Sequence, residues 1–558
     1  MTFPASLRPD GGAEDHSPAA SARKASGAVV GRSVRVRRTQ RVRRTVRGRG
    51  SFRTRLGAVL AAVATAVLVL TGCTPFGAPG AQPSSDPAAT QGAPPGLERF
   101  YTQDVAWQPC EGGKFECATV SVPIDYASPS GDTAKLALIR LAGRNAKANL
   151  VVNPGGPGGS GYDMVKDSAQ TMFSAKLLDA YTVIGFDPRG VKRSAPVTCV
   201  GDTERDALRQ ETFDPNTAAG LAAQFAAQKK LVDACEANTG PILAHADTVS
   251  AAKDLDIIRA AAAHQVHLDY LGYSYGTFLG STYASLFPDR VGRMVLDGAL
   301  DPSLGNHEIT RGQAKAFEMA IHAYVRSCLS KSDCPLAGPE DNAVAQIRSL
   351  VTSTKERPLS TSSGRILNST DFVNGFILPL YNDSNYPALS QGLKGALRGD
   401  GSSMLRLADI AADREQDGTY SSNSTFAFTA YNCLDYPTDA DPAAMRAEDA
   451  ELRRDSPTLG EFFAYGGVNC RDWPYKPVRT PAPAHYTGQS PILVVGTTGD
   501  PATPVQWAGN LRDQLGNAAL LTWKGEGHTA YGRGSKCVDN AVDSYLVDRK
   551  APTDRAQC

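Results

Sequence analysis

The sequence predicts an α/β protein: a mostly parallel sheet flanked by helices and interrupted by one mainly helical insertion. Three observations carry this expectation. From about residue 148, short runs rich in Val, Ile and Leu alternate with helix-compatible stretches, as buried parallel strands joined by crossover helices do. Between about 303 and 486 that alternation stops, and it resumes at Pro491. The pentapeptide Gly272-Tyr273-Ser274-Tyr275-Gly276 also stands between an apolar run and a helix-compatible stretch.

Taken in order, Thr119–Val122 and Leu136–Ile139 fit an antiparallel pair at the sheet edge. Parallel strands are expected at Leu150–Asn153, Thr182–Phe186, Leu268–Gly272, Met294–Leu296, Ile492–Val495 and Leu520–Trp523. Helices are expected at Thr277–Leu286, Gln313–Ser327 and Ala443–Arg453. A stretch as long as 303–486 is too long for a loop, so a separate helical lid inserted into the core is expected. The organisation is then a signal segment 1–73, a linker 74–97, a first core part 98–302, the lid 303–486, and a second core part 487–558. No repeat recurs at a fixed period.

The N-terminal segment differs in kind from the rest. Residues 1–55 carry a local net charge of +11 against a whole-chain value of +1, which leaves the part after Cys73 at about −10. That acidic balance does not suggest a nucleic-acid partner. The uncharged run Leu56–Leu70 spans roughly 22 Å as a helix, short of the ~30 Å hydrocarbon layer. A basic region followed by an apolar run of this length reads as an export signal rather than a spanning helix. The basic region is long for such a signal, which fits a translation start downstream of Met1. Leu70-Thr71-Gly72-Cys73 follows and resembles the bacterial lipobox, whose Cys is acylated and becomes the mature N-terminus; the alternative is an ordinary signal followed by a chance Cys. Residues 74–96 are rich in Pro, Gly, Ala, Ser and Gln, the composition of a flexible tether. The expected location is therefore the outer face of the cell membrane, anchored through Cys73, with shedding to the medium as the variant.

Besides Cys73, ten cysteines remain: Cys110, Cys117, Cys199, Cys235, Cys328, Cys334, Cys433, Cys470, Cys537 and Cys558. An even number in an exported chain points to disulfides, and ten allow about 945 connectivities. Sequential pairing is the simplest. No Cys-x-x-Cys or His-Glu-x-x-His spacing occurs, so no metal is expected.

The chemistry gathers around Ser274. A strand-to-helix turn with small residues on either side is the setting of a nucleophile elbow. The Gly-rich loop 153–161 (Asn-Pro-Gly-Gly-Pro-Gly-Gly-Ser-Gly) follows an expected strand. It can turn backbone N–H groups toward a developing oxyanion, with a second donor from Tyr275, the residue after the nucleophile. It lacks the Gly-Lys-Ser/Thr ending of a phosphate-binding loop. A serine nucleophile needs a base, and the base an orienting acid, in the chain order Ser, acid, His. Asp500 follows the strand Ile492–Val495, and His528 lies in the Gly-bounded loop after the last expected strand. Ser274, Asp500 and His528 are thus the candidate triad of an α/β-hydrolase fold. Asp187 is expected to pair with Arg189 and shape the neighbouring loop. Asp435, in the lid, is a candidate either to bind a substrate ammonium or to cap a turn.

With these residues in place, the chain resembles the secreted tripeptidyl aminopeptidases of actinobacteria, relatives of proline iminopeptidase. The likeness runs from about Trp107 to Cys558. It rests on Cys117 with Val122-Pro123-Ile124-Asp125-Tyr126, the glycine loop from Asn153 to Gly161, and Asp187-Pro188-Arg189-Gly190. Gly272-Tyr273-Ser274-Tyr275-Gly276, Leu296-Asp297-Gly298 and Asp500-Pro501-Ala502-Thr503-Pro504 continue the series. The resemblance implies a peptidase that removes short peptides from free N-termini, with peptide or protein N-termini as its partners and the lid closing off the cleft. It also implies Gly156 and Tyr275 as oxyanion donors. Lys192 departs from the pattern, standing where relatives usually carry a second glycine. The expectation is a monomeric serine exopeptidase that needs no cofactor, with Asp435 gripping the substrate amine. The rivals are a carboxylesterase or lipase with the same triad, and a non-enzymatic surface lipoprotein.

Overall fold

Side chains along the central strands alternate between two apolar cores, and that alternation places the helices on both faces of one sheet. The computed structural model describes residues 87–558. The signal segment, the lipidation candidate Cys73 and the tether up to residue 86 lie outside the described residues.

Twelve strands occur among the described residues: β1 (Gln108–Cys110), β2 (Phe115–Pro123), β3 (Thr133–Leu141), β4 (Ala148–Asn153), β5 (Tyr181–Phe186), β6 (Leu268–Tyr273), β7 (Val291–Asp297), β8 (Leu359–Ser360), β9 (Ile366–Leu367), β10 (Ile492–Gly499), β11 (Ala518–Glu526) and β12 (Ala556–Gln557). Ten form one sheet in the order β1-β2-β3-β5-β4-β6-β7-β10-β11-β12, while β8 and β9 make a separate hairpin. Pairing is antiparallel from β1 to β5 and parallel from β5 to β12. This is the α/β architecture expected from the sequence, with the antiparallel strands at one edge.

β5 and β6 are buried along their whole length, because helices cover both faces. Val151, Ile184, Tyr270, Leu296 and Val494 point into one core. Their neighbours Leu150, Val152, Val183, Leu271, Val295, Leu493 and Val495 point into the other. A period of two divides each strand between the layers. The carboxyl ends of β4, β6, β7, β10 and β11 meet at the same end of the sheet, where crevices of parallel sheets hold their ligands.

The helical insertion between β7 and β10 departs from the expected single lid 303–486. Its first half contains the helices Asn306–Leu329, Glu340–Glu356, Ser369–Ile377, Tyr386–Ala396 and Ser402–Ala411. These enclose a core of their own, with Phe317, Ile321, Tyr324, Ile347, Phe372 and Phe376. The second half does not stand apart. Phe426, Tyr431 and Leu434 of the helix Ser424–Asp435, together with Trp473 and Tyr486, pack into a core of the sheet. Cys433–Cys470 fastens this half. Ion pairs hold the first half to the helix Asp202–Gln210: Arg209 reaches Asp371 at 2.8 Å and Asp409 at 3.0 Å.

The tether is also shorter than expected from 74–97. Ala89 and Leu97 are buried, and the Ala89 carbonyl accepts Arg259 Nη1 at 3.0 Å. Among the described residues the five disulfides are sequential: 110–117, 199–235, 328–334, 433–470 and 537–558.

Candidate active site

Ser274 ends the turn between β6 and the helix Tyr275–Leu286 with φ 56° and ψ −125°. A non-glycine residue pays strain there, and the surroundings hold it in place. Its N–H donates to the Asp297 carbonyl at 2.9 Å, and its own carbonyl accepts Thr277 N at 2.8 Å and Thr277 Oγ1 at 2.6 Å. A Cβ on Gly272 would lie 2.3 Å from the Gly276 carbonyl oxygen. The two flanking glycines are therefore required by close approach of the backbone.

The glycine loop lies directly against this turn. A Cβ on Gly155 would sit 2.8 Å from Ser274 Cβ and 3.1 Å from the Tyr275 nitrogen. Gly156 is the next residue in that loop. The Tyr275 N–H belongs to the first turn of its helix, where amides have no partner within the helix. The loop that carries Gly156 thus packs against the turn that carries Ser274 and Tyr275.

Asp500 follows β10 and is buried. Both its oxygens lie 2.9 Å from His528 Nδ1. It also accepts Ala502 N at 2.9 Å, Thr503 N at 2.8 Å, Thr503 Oγ1 at 2.9 Å and Thr529 N at 3.1 Å. Burial pushes the Asp500 carboxyl up, but His528 and the Thr503 and Thr529 amides outweigh it and hold it below the usual carboxylate range. An ionised acceptor at Nδ1 selects the tautomer that carries its proton there, which leaves Nε2 free as a base. A Cβ on Gly298, the residue after Asp297, would lie 3.3 Å from His528 Cε1. The imidazole therefore faces the end of β7 that also holds the Ser274 amide.

Asp297 joins the two halves of the site. Its carbonyl holds Ser274, while its carboxylate accepts Ala530 N at 3.0 Å and Tyr531 N at 2.8 Å from the His528 loop. Burial is the main reason its carboxyl is pushed up to about 7, partly offset by those amides. Residue-by-residue reading of the sequence did not assign this role. Its signal was present in Leu296-Asp297-Gly298, an acid ending an apolar strand.

Asp435, expected to grip a substrate amine, is instead buried and bonded within the fold. It is 1% exposed, and its oxygens accept Thr248 N at 3.0 Å and Thr248 Oγ1 at 2.5 Å. The Thr248 hydroxyl is in turn 2.6 Å from the Tyr275 hydroxyl. Of the two alternatives left open by the sequence, the structure places Asp435 at the start of the helix Thr248–Ile257, as an anchor that reaches the elbow through two hydrogen bonds. Burial, then Asp247, pushes its carboxyl up to about 7. Because that value lies above the ordinary 3.8, this group favours the folded state fully below about pH 3.8, and the contribution is lost as pH rises through about 7. Asp435→Ala strands the Thr248 amide and hydroxyl and is expected to cost about 1–3 kcal/mol in urea unfolding. Asp435→Asn keeps an acceptor and is expected to cost less and flatten that pH dependence, with KM unchanged. A large rise in KM for Asp435→Asn would instead make it a substrate ligand.

Asp187 takes a different partner from the one expected. Arg193 Nη1 donates to it at 2.9 Å, and Ser160 Oγ also donates. Arg189 is wholly buried and pairs with Asp254 at 2.6 Å, while donating to the Pro123 and Ile124 carbonyls. Lys192 adopts φ 42°, the left-handed conformation that glycine takes at little cost. Its amide donates to Asn423 Oδ1 at 2.9 Å, and its ammonium pairs with Asp163. Among the described residues, no group of three or more His, Cys, Asp or Glu is placed to hold a metal ion, and no helix is long and apolar enough to cross a membrane.

The arrangement supplies a strained, partly exposed serine at a strand-to-helix turn, an imidazole oriented by an ionised acid, and a glycine loop packed against the serine. A family model described as TAP-like protein matches residues 456–558. The chain is 36% identical to serine protease Hip1 of Mycobacterium tuberculosis over 529 residues, covering 90% of this chain and 98% of that protein. It is 38% identical to carboxylesterase B of Mycobacterium tuberculosis, covering 88% and 96%. It is 29% identical to tripeptidyl aminopeptidase of Streptomyces coelicolor, covering 82% and 86%.

Proposed function

Because the chain belongs to the TAP-like family of α/β-hydrolases, and is accordingly a hydrolytic enzyme, we propose that it is an exported, lipid-anchored serine exopeptidase that releases tripeptides from free N-termini. The observation that carries this reading is the bond from His528 Nδ1 to the buried, ionised Asp500, in a loop that Asp297 ties to the Ser274 amide. His528 Nε2 takes the proton of Ser274 Oγ as that oxygen attacks the scissile carbonyl. The Gly156 and Tyr275 amides stabilise the tetrahedral oxyanion. The imidazolium returns its proton to the leaving amine, and water, activated by the same base, hydrolyses the acyl-enzyme. The helical insertion acts as the lid that limits the cleft to chain ends. Anchoring rests on Leu70-Thr71-Gly72-Cys73, and outward export on the basic and apolar run before it. With Asp435 buried, the substrate amine is recognised by other groups.

A second reading, a carboxylesterase with the same triad, is favoured by the 38% identity to carboxylesterase B. Matched chromogenic tripeptides with free and blocked N-termini separate the two, with 4-nitrophenyl acetate as the ester. Cleavage of the free-amine peptide alone among the peptides is the expected result. Cleavage of the ester with neither peptide supports the esterase, and equal cleavage of both peptides contradicts exo-action.

A further inference from the structure

The loop that carries His528 is bonded to the helical insertion as well as to the sheet. The His528 amide donates to the Tyr381 carbonyl at 2.8 Å. Asn382 and Gly527 form an isolated antiparallel bridge. The Tyr381 ring meets the His528 imidazole edge-on at 5.2 Å between centroids. Tyr381 and Asn382 belong to the first half of the insertion, more than a hundred residues before the loop they hold.

One side chain closes this junction. Arg533 is nearly buried, with 9% of its side chain exposed. Its Nη1 donates to the His528 and Thr529 carbonyls, both at 3.2 Å. Its Nη2 donates to Asn382 Oδ1 at 3.1 Å and Asp383 Oδ1 at 3.3 Å. The guanidinium also stacks over Trp523 at 5.2 Å. Gly527 leaves room for it: with φ 94°, a Cβ there would lie 2.8 Å from both Nη atoms and 2.7 Å from the Tyr381 carbonyl. A buried cation that grips two consecutive carbonyls of one loop and two side chains of another segment has a planar, forked geometry that lysine does not reproduce.

We propose that Arg533 is a positioning residue that locks the His528 loop onto the helical insertion at Asn382 and Asp383, so that the insertion sets the geometry of the catalytic base. The proposal rests on the reading of His528 as that base. It makes the first half of the insertion a support of the catalytic centre, whatever else it does to the cleft. A shift of about 1 Å in a catalytic group lowers rates by up to about 100-fold, so the consequence falls on the chemical step rather than on binding.

The test is the kinetics of covalent inactivation by a fluorophosphonate, which needs a working Ser–His pair but no knowledge of the natural substrate. Ser274 Oγ forms the bond to phosphorus, fluoride leaves, and His528 takes the proton. Arg533→Met is expected to lower the limiting inactivation rate by about 10-fold to 100-fold, while the half-saturating probe concentration stays within about threefold. Arg533→Lys is expected to recover only part of that rate, since an ammonium does not span both partners. A double change, Asn382→Ala with Asp383→Ala, leaves the guanidinium in place and removes its anchor. It is expected to lower the rate in the same direction, and it decides the matter if Arg533→Met does not fold. Arg533→Met, or failing it the double variant, reacting within about twofold of the wild type would overturn the proposal. A loss of rate matched by an equal rise in the half-saturating concentration would overturn it too, because that is collapse of the cleft. An inert wild-type protein would overturn the serine-hydrolase reading itself, and the lock with it.

Discussion

Ser274→Ala is expected to lower the turnover of every substrate the protein hydrolyses by roughly 10⁵- to 10⁶-fold. Removing the nucleophile leaves only binding and oxyanion stabilisation, which act on water as a poor substitute. The change is also expected to leave stability within about 0.5 kcal/mol. The elbow is held by backbone bonds from Ser274 N to Asp297 and from Thr277 N to Ser274, and neither uses the missing hydroxyl. Steady-state hydrolysis and denaturant unfolding of the same preparation check both halves. Activity reduced by less than about 10-fold would place the nucleophile elsewhere.

Asp500→Asn is expected to lower kcat by about 10⁴-fold. An amide at this position turns its NH₂ or its oxygen toward Nδ1 without the charge that selects the Nδ1–H tautomer, so Nε2 no longer serves as an unprotonated base. The cost extends to the fold. Asp500 accepts four bonds from Ala502, Thr503 and Thr529 in addition to His528, and Asn offers a single acceptor oxygen. A loss of about 1–3 kcal/mol is expected. The sign with pH is the reverse of that for Asp435. A carboxyl held below its ordinary 3.8 stabilises the fold above that value and loses the contribution as pH falls through its lower folded value. The stability difference between Asp500→Asn and wild type is therefore expected to shrink in strong acid. Unfolding curves at several pH values, run beside the kinetics, measure it.

The parallel strands were legible because each is a short Val-, Ile- and Leu-rich run buried on both sides, and their observed bounds extend the expected ones by one to four residues at an end. β1 and β12 were not. They are three and two residues long and lie next to disulfides 110–117 and 537–558, so no apolar alternation marks them. The helix Ala218–Thr239 buries Leu221, Val232 and Cys235, too sparse a stripe for periodicity to reveal. At the site, Ser274, Asp500 and His528 stand out because turn chemistry and chain order are local properties of the sequence. The partners of Asp435, Asp187 and Arg533 lie at separations of 187, 6 and 150 residues. Only the folded chain shows that Asp435 meets Thr248, that Arg533 meets Asp383, and that Asp187 meets Arg193 rather than Arg189. That is why the sequence leaves Asp435 open to two readings and offers Arg189 as the partner of Asp187. The halves of the insertion were indistinguishable for the same reason: both are amphipathic helices, and the core that each one joins is a tertiary fact.

The most direct measurement is mass-spectrometric mapping of the protein after reaction with a fluorophosphonate. The expected result is a single adduct on Ser274 that is absent from a His528→Ala variant. An adduct on another residue, or none on the folded wild-type protein, would contradict the account of this chain as a hydrolase built on Ser274, His528 and Asp500.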